Sequence, residues 1–200
     1  MRLADACTIH TGYTARGRLE PAPGGVLAIQ LRDISPEGLV DPEQLTRVQL
    51  DGLADRYFVR TGDVVFRSRG ERNTASALDE RLQEPALAVL PLMVLRPKRE
   101  VVTPEYLAWA INQPPAQRHF DSAARGTNIR MIPRSSLDDL ELDVPDIETQ
   151  GKIVVVDALA ERERELTRLA ADTRRKMISL LLVERANSIR PKTRQERTSK

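Results

Sequence analysis

From Asp146 to Asn187 the chain contains no proline and only one glycine, Gly151. That stretch constrains the fold more than any other, because a helix of about 40 residues would reach ~60 Å at 1.5 Å per residue. A small domain cannot bury a rod of that length. Pro145 closes what precedes it, and Asp146 is placed to cap a helix running from about Glu148 to about Asn187. Leu159, Leu166 and Leu180 lie on one heptad spacing, with Val156, Ala170 and Met177 three residues before heptad positions. Glu163 and Thr173 interrupt that seam. An amphipathic helix this long needs another helix, and no second one of this length exists in the chain. Self-association is the simplest answer. Val156, Leu159, Leu166, Ala170, Met177 and Leu180 are therefore the expected dimerisation residues.

The 145 residues before the helix read as mixed α/β (α+β). Val26 to Leu31 has strand character and follows the loop-like Pro21-Ala22-Pro23-Gly24-Gly25, and Asp33 to Gly38 reads as a turn. Arg56 to Val59 and Val64 to Phe66 flank Thr61-Gly62-Asp63, where glycine permits a tight reversal. The apolar run Ala86 to Leu95 predicts one or two buried strands interrupted at Pro91. A short helix is expected from Thr103, with threonine as cap, Pro104 at the first helical position and Glu105 complementing the dipole. Pro114-Pro115 stops it, and a further helical turn or two follows around Gln117 to Ala123. Arg125 to Asn128 reads as a loop, and Leu140 to Val144 as a last short strand. Tyr57, Phe58, Phe66 and Trp109 are expected in the core.

The expected organisation is a globular domain with a mixed β-sheet over 1–145, one long helix over 146–187 and a basic tail over 188–200. From Arg174 to Lys200 nine Lys/Arg face two Asp/Glu, so the net +2 of the whole chain leaves the body moderately acidic. A basic end of this kind reads equally well as a solvated tail. A hydrophobic fraction of 40% supports a packed core. The lone Cys7 excludes a disulfide framework and a cysteine-based zinc site, as expected of a reducing, cytoplasmic setting. The first residues lack the apolar run of a signal peptide, and no stretch approaches the length needed to span a bilayer.

Motifs for catalysis are missing. There is no Asn/Asp-Pro-Pro-aromatic motif, no glycine-rich cofactor or phosphate loop, and Glu148 and Lys152 have the wrong spacing from Pro145-Asp146 for a nuclease. His10 and His119 have no ligand cluster nearby. No catalytic residue, metal or cofactor is expected. What remains suits recognition. Arg67, Ser68, Arg69, Arg72 and Asn73 cluster past the Gly62-Asp63 turn, where Arg forks can meet guanine edges or phosphates and Asn can read adenine. Arg96 and Lys98 end a strand. Arg125, Thr127, Asn128 and Arg130 place donors in a glycine-containing loop. Each group reads alternatively as ordinary surface or turn. Aromatic content of 4% argues against a single-strand binder built on stacking platforms.

Five segments, taken in order, resemble one half of a type I restriction–modification specificity subunit. They are VLAIQLRDI from Val26, YFVRTGDVVFRSRG from Tyr57, VTPEYLAWAIN from Val102, RGTNIRMIPRSSLDDLELDVP from Arg125, and VPDIETQGKIV from Val144. The resemblance implies a target-recognition domain followed by a helix that joins a counterpart in an antiparallel coiled coil. It further implies double-stranded DNA, a modification methyltransferase subunit and a restriction subunit as partners, with no catalysis by this chain. The usual subunit carries two recognition domains and two such helices, whereas this chain carries one of each, so a homodimer would supply the second half. The alternative function is a scaffold or interaction protein of a phage-defence or regulatory complex, in which DNA contact is secondary.

Overall fold

A computed structural model describes residues 1–35, 38–50, 52–70, 72–123 and 131–188. The chain forms two compact units, Met1–Val154 and Val155–Lys200. The first is built on two four-stranded sheets. Strands β1 (Cys7–Thr11), β5 (Val64–Arg67), β6 (Ala75–Ala77) and β8 (Leu92–Pro97) form one, in the order β1-β8-β5-β6, antiparallel throughout. Strands β2 (Pro21–Ile29), β3 (Thr46–Val48), β4 (Phe58–Val59) and β7 (Ala86–Ala88) form the other, in the order β3-β2-β7-β4. In it β2 and β7 run parallel while the outer strands run antiparallel, making the sheet mixed.

Side-chain alternation explains the layering. Val64, Phe66, Met93 and Leu95 face a cluster shared with the helices. Val65, Leu92 and Val94, one position out of phase, face a second cluster with Ile29, Val59, Ala86 and Ala88 from the other sheet. Successive side chains of a strand point to opposite faces, so a strand covered on both faces must be apolar at every position. That is why Ala86 to Leu95 is a continuous apolar run, and it does hold two strands, β7 and β8, separated around Pro91. The far face of the mixed sheet is closed by Ala28, Val48, Leu87 and Val89, with Tyr57 and Phe58 half-buried against them.

The helical layer holds α1 (Leu3–Ala6), α2 (Pro104–Asn112), α3 (Pro114–Ala123) and α4 (Arg134–Asp138). Helix α2 begins as its local chemistry requires, with the Thr103 hydroxyl accepting from the Tyr106 amide at 3.3 Å and proline next to the cap. Phe66 of β5 meets Phe120 of α3 with ring centroids 5.2 Å apart. Trp109 is half-buried, tilted against Tyr106.

Several expectations are corrected. The segments around Thr61-Gly62-Asp63 do not pair with each other, because β4 joins β7 in one sheet and β5 joins β8 and β6 in the other. The reversal, with Gly62 at φ +88, carries the chain between sheets. Pro114-Pro115 starts α3 as well as ending α2, since the first turn of a helix needs no proline N–H, and the Gln113 carbonyl accepts from the Gln117 amide at 3.1 Å. Strand β2 extends back to Pro21 through the segment that reads as loop. Residues 140–144 form no strand: Glu141 makes one isolated bridge to Arg2, since α1 turns the N-terminal partner away after two residues. Of the turn at Asp33 to Gly38, residues 36–37 lie outside the described set, but the Gly38 amide donates to the Ser35 carbonyl at 2.9 Å.

Helix α5 spans Ile147–Ser188, 42 residues. The Asp146 carboxylate caps it, accepting from the Thr149 amide at 2.9 Å and the Thr149 hydroxyl at 2.7 Å. These bonds hold the Asp146 carboxyl below the usual carboxylate range. Its first turns pack into the first unit through Gln150, which is fully buried. The Gln150 carbonyl oxygen accepts from the Thr103 amide at 2.9 Å, and its amide nitrogen donates to the carbonyls of Val101 at 2.9 Å and Pro145 at 2.8 Å. No helix among the described residues is long and apolar enough to cross a membrane. Replacing Gln150 with Leu removes three hydrogen bonds to half-buried backbone groups and is expected to cost about 3 kcal/mol in urea unfolding. The neighbouring Gly151→Ala, where an added methyl meets nothing within 4 Å, is expected to add up to about 1 kcal/mol by the same measurement.

Candidate nucleic-acid interface

The connection from β5 to β6 carries the largest group of sequence-predicted contacts, and the structure divides that group. Ser68 and Asn73 are buried. The Ser68 hydroxyl donates to the Pro91 carbonyl at 2.5 Å and the Asn73 amide to the Arg67 carbonyl at 3.0 Å. The Asn73 carbonyl in turn accepts from Gln117 of α3 at 3.0 Å, and the Ser68 carbonyl from the Ile132 amide at 2.8 Å. Both side chains therefore hold the connection in place, and neither faces solvent. Arg67 is half-buried, its Nε enclosed without a hydrogen-bond partner among the described residues, its guanidinium lying over Gly70. A side chain at Gly70 would crowd that guanidinium and would also have to tolerate φ +133. Arg69 and Arg72 are exposed. Arg69 forms a backbone bridge with Met131, the first described residue after 124–130. Arg125, Thr127, Asn128 and Arg130 lie outside the described residues.

Arg96 and Lys98 serve the fold. From β8, the Arg96 guanidinium donates to the Phe58 carbonyl at 2.6 Å and lies 3.6 Å from the Asp63 carboxylate. It thus ties one sheet to a strand of the other and to the turn between them. Burial pushes the Asp63 carboxyl above its ordinary value, opposed by the Arg60 amide and the Arg96 charge. The Lys98 ammonium donates to the Asp5 carbonyl at 2.8 Å.

The structure also gathers charge that sequence order scatters. Burial first, then the guanidiniums of Arg96, Arg134 and Arg56, hold the His10 imidazole below its usual range, with Asp63 acting the other way. Arg56 stacks on the Tyr57 ring at 4.7 Å, and Arg134 lies 3.6 Å from Asp138. Strand β8 pairs with β1, setting His10 opposite Val94, and the Asp55–Tyr57 turn and α4 pack against β1, which brings these groups into one field. No spacing in the sequence signals it.

His119 is not placed to act as a base on Ser136. His119 Nε2 lies 2.8 Å from the Ser136 carbonyl oxygen and 3.3 Å from its hydroxyl. A nitrogen donating to that carbonyl has no lone pair with which to deprotonate the hydroxyl. Burial raises the Cys7 thiol to about 12, which leaves it unreactive. Among the described residues no three His, Cys, Asp or Glu gather as a metal site.

On α5 the seam residues Val156, Leu159, Leu166, Met177 and Leu180 are 50–71% exposed, and Ala170 is exposed as well. Val155, Leu169, Ile178, Leu181, Leu182 and Val183 are exposed apolar residues that heptad reading misses. For Leu181, Leu182 and Val183 the unbroken apolar run Leu180 to Val183 is the visible signal.

No protein-family model matches this sequence, and no curated protein matches it. Solved structures do match. The HsdS subunit from Thermoanaerobacter tengcongensis superposes with TM-score 0.60 at 19% identity over 98% of this chain and 50% of its own. The type I restriction–modification S subunit from M. genitalium gives 0.54 at 15%, over 88% and 42%. A chain from a study of the assembly and conformational transition of the type I restriction–modification system gives 0.58 at 19%, over 90% and 42%. The fold is like that of half of a type I specificity subunit, a mixed α/β domain followed by a long helix. The chain spans about half the length of the subunits it matches.

The division of cations is testable by thermal unfolding. Ser68→Ala and Arg96→Met are expected to lower stability by about 1–2 kcal/mol each through lost, partly buried hydrogen bonds. Arg69→Ala and Arg72→Ala are expected to stay within about 0.5 kcal/mol of the parent.

Proposed function

We propose that the chain is the non-catalytic, sequence-specific double-stranded DNA recognition subunit of a type I-like restriction–modification system. It acts as a homodimer through α5, alongside a modification methyltransferase and a restriction subunit. The observation that carries this reading is the match of a single domain-plus-helix to half of each specificity subunit. The matched half leaves its apolar helix face exposed, and a second copy would cover it. Arg69 and Arg72, exposed on a connection pinned from beneath by Ser68 and Asn73, are the cations best placed to meet DNA. Arg125, Thr127, Asn128 and Arg130 are proposed to act with them.

Two copies related by a two-fold axis present the same surface in opposite senses. The preferred target is then an inverted repeat with an unread spacer, half-sites being about 10 base pairs apart if the domains sit one duplex turn from each other. Opposite charge along α5 favours antiparallel pairing. Its first half, Ile147 to Thr167, carries five carboxylates and three cations, and its second, Leu169 to Ser188, four cations and two carboxylates.

Selection from a random duplex library, with and without methyltransferase, is expected to return such a repeat. A single undivided site or a direct repeat would contradict the symmetric dimer, and indifference to sequence would favour a scaffold. Affinity should fall steeply with salt, and Arg69→Ala with Arg72→Ala should lower the salt slope by about one for each phosphate contact removed. Light scattering should show a dimer that Leu166→Asp with Leu180→Asp converts to monomer.

A further inference from the structure

The two polar residues that interrupt the α5 seam stand symmetrically in it. Written as a heptad pattern, the seam is Val156, Leu159, Glu163, Leu166, Ala170, Thr173, Met177 and Leu180. An antiparallel pair centred on Arg168 sets Val156 against Leu180 of the second copy, Leu159 against Met177, Leu166 against Ala170, and Glu163 against Thr173. Resting on the homodimer reading above, we infer that Glu163 and Thr173 form two symmetry-related polar layers that select the antiparallel orientation and this one register.

The competing arrangements each bury Glu163 badly. Sliding one helix by a heptad in either direction places its carboxylate against Leu166 or Leu180 of the second copy, where nothing donates to it. A parallel, in-register pair sets Glu163 against Glu163, two like charges in a desolvated seam. Only the centred antiparallel register offers a hydroxyl, which can donate to the carboxylate. Single polar residues at core positions of coiled coils specify register in this way. Glu163 is free for the role, because its neighbours Glu161 and Glu165 pair with Arg164 at 2.7 Å and Arg162 at 2.6 Å.

The residues flanking the seam agree. The same register brings Val155 beside Val183 of the second copy and Leu169 beside its own counterpart, all exposed in the single chain. Parallel pairing would instead set Leu169 beside Arg174 and Val183 beside Ser188, leaving apolar surface against polar groups.

Cross-linking tests this in full-length chains. Differently tagged copies carrying Val156→Cys and Leu180→Cys are co-expressed and oxidised, with buried Cys7 as the internal control. The expected product joins Val156→Cys to Leu180→Cys, with no link between two Val156→Cys chains. A predominant Val156→Cys self-link would overturn the orientation while leaving the homodimer standing. In a Glu163→Leu, Thr173→Leu background the dimer should persist and resist heat better, but self-links should appear beside the mixed product. A leucine-substituted dimer that yields only the mixed product would overturn the polar layers as the determinant. A chain that stays monomeric at tens of micromolar and gives no link would remove the homodimer itself, and this inference with it.

Discussion

Burial of β5 and β8 on both faces is the constraint around which the first unit is arranged. Val64, Phe66, Met93 and Leu95 need the helical layer, while Val65, Leu92 and Val94 need the mixed sheet. Because the side-chain period is two, a slip of one residue in either strand would send each set to the wrong layer. The two strands therefore fix both layers at once. Arg96 exploits that arrangement, reaching from β8 to the Phe58 carbonyl and Asp63, and so its charge serves the junction between sheets.

Gln150 performs the corresponding task at the start of α5. One primary amide saturates the Thr103 N–H and the Val101 and Pro145 carbonyls, joining the entrance of α2 to the first turn of α5. A buried amide satisfied at both ends is geometrically demanding, and it sets the helix start relative to α2. Beyond Val154 the apolar residues of the helix are exposed, and the proposed second copy would cover them.

The proposed recognition surface follows from a similar division of labour. Ser68, Asn73 and Arg96 hold backbone, so exposed Arg69 and Arg72 stand on a connection whose geometry is set from below. Groups positioned by a pinned loop lose less freedom on binding than groups on a slack one. Around His10 the fold gathers a separate group of cations, Arg96, Arg134 and Arg56.

Locally encoded features were legible in the sequence. The Thr103 cap, the Asp146 cap, the two strands either side of Pro91 and the full extent of α5 depend on residues a few positions apart. So does the heptad seam, with Glu163 and Thr173 visible in it as interruptions. Strand partnership was not legible, because β4 and β5 are separated by one turn yet belong to different sheets, and nothing near Gly62 records which distant strand each will meet. Nor was the fate of polar side chains. Ser68 and Asn73 sit among arginines and read as surface, but Pro91 and Gln117, distant in sequence, draw them inside. The sequence by itself determined the long helix, its stripe and the order of strand-forming segments, since periodicity and capping act at short range. Only the tertiary structure decided which polar groups hold the fold and which face solvent, since that depends on hydrogen-bond partners contributed by residues far along the chain.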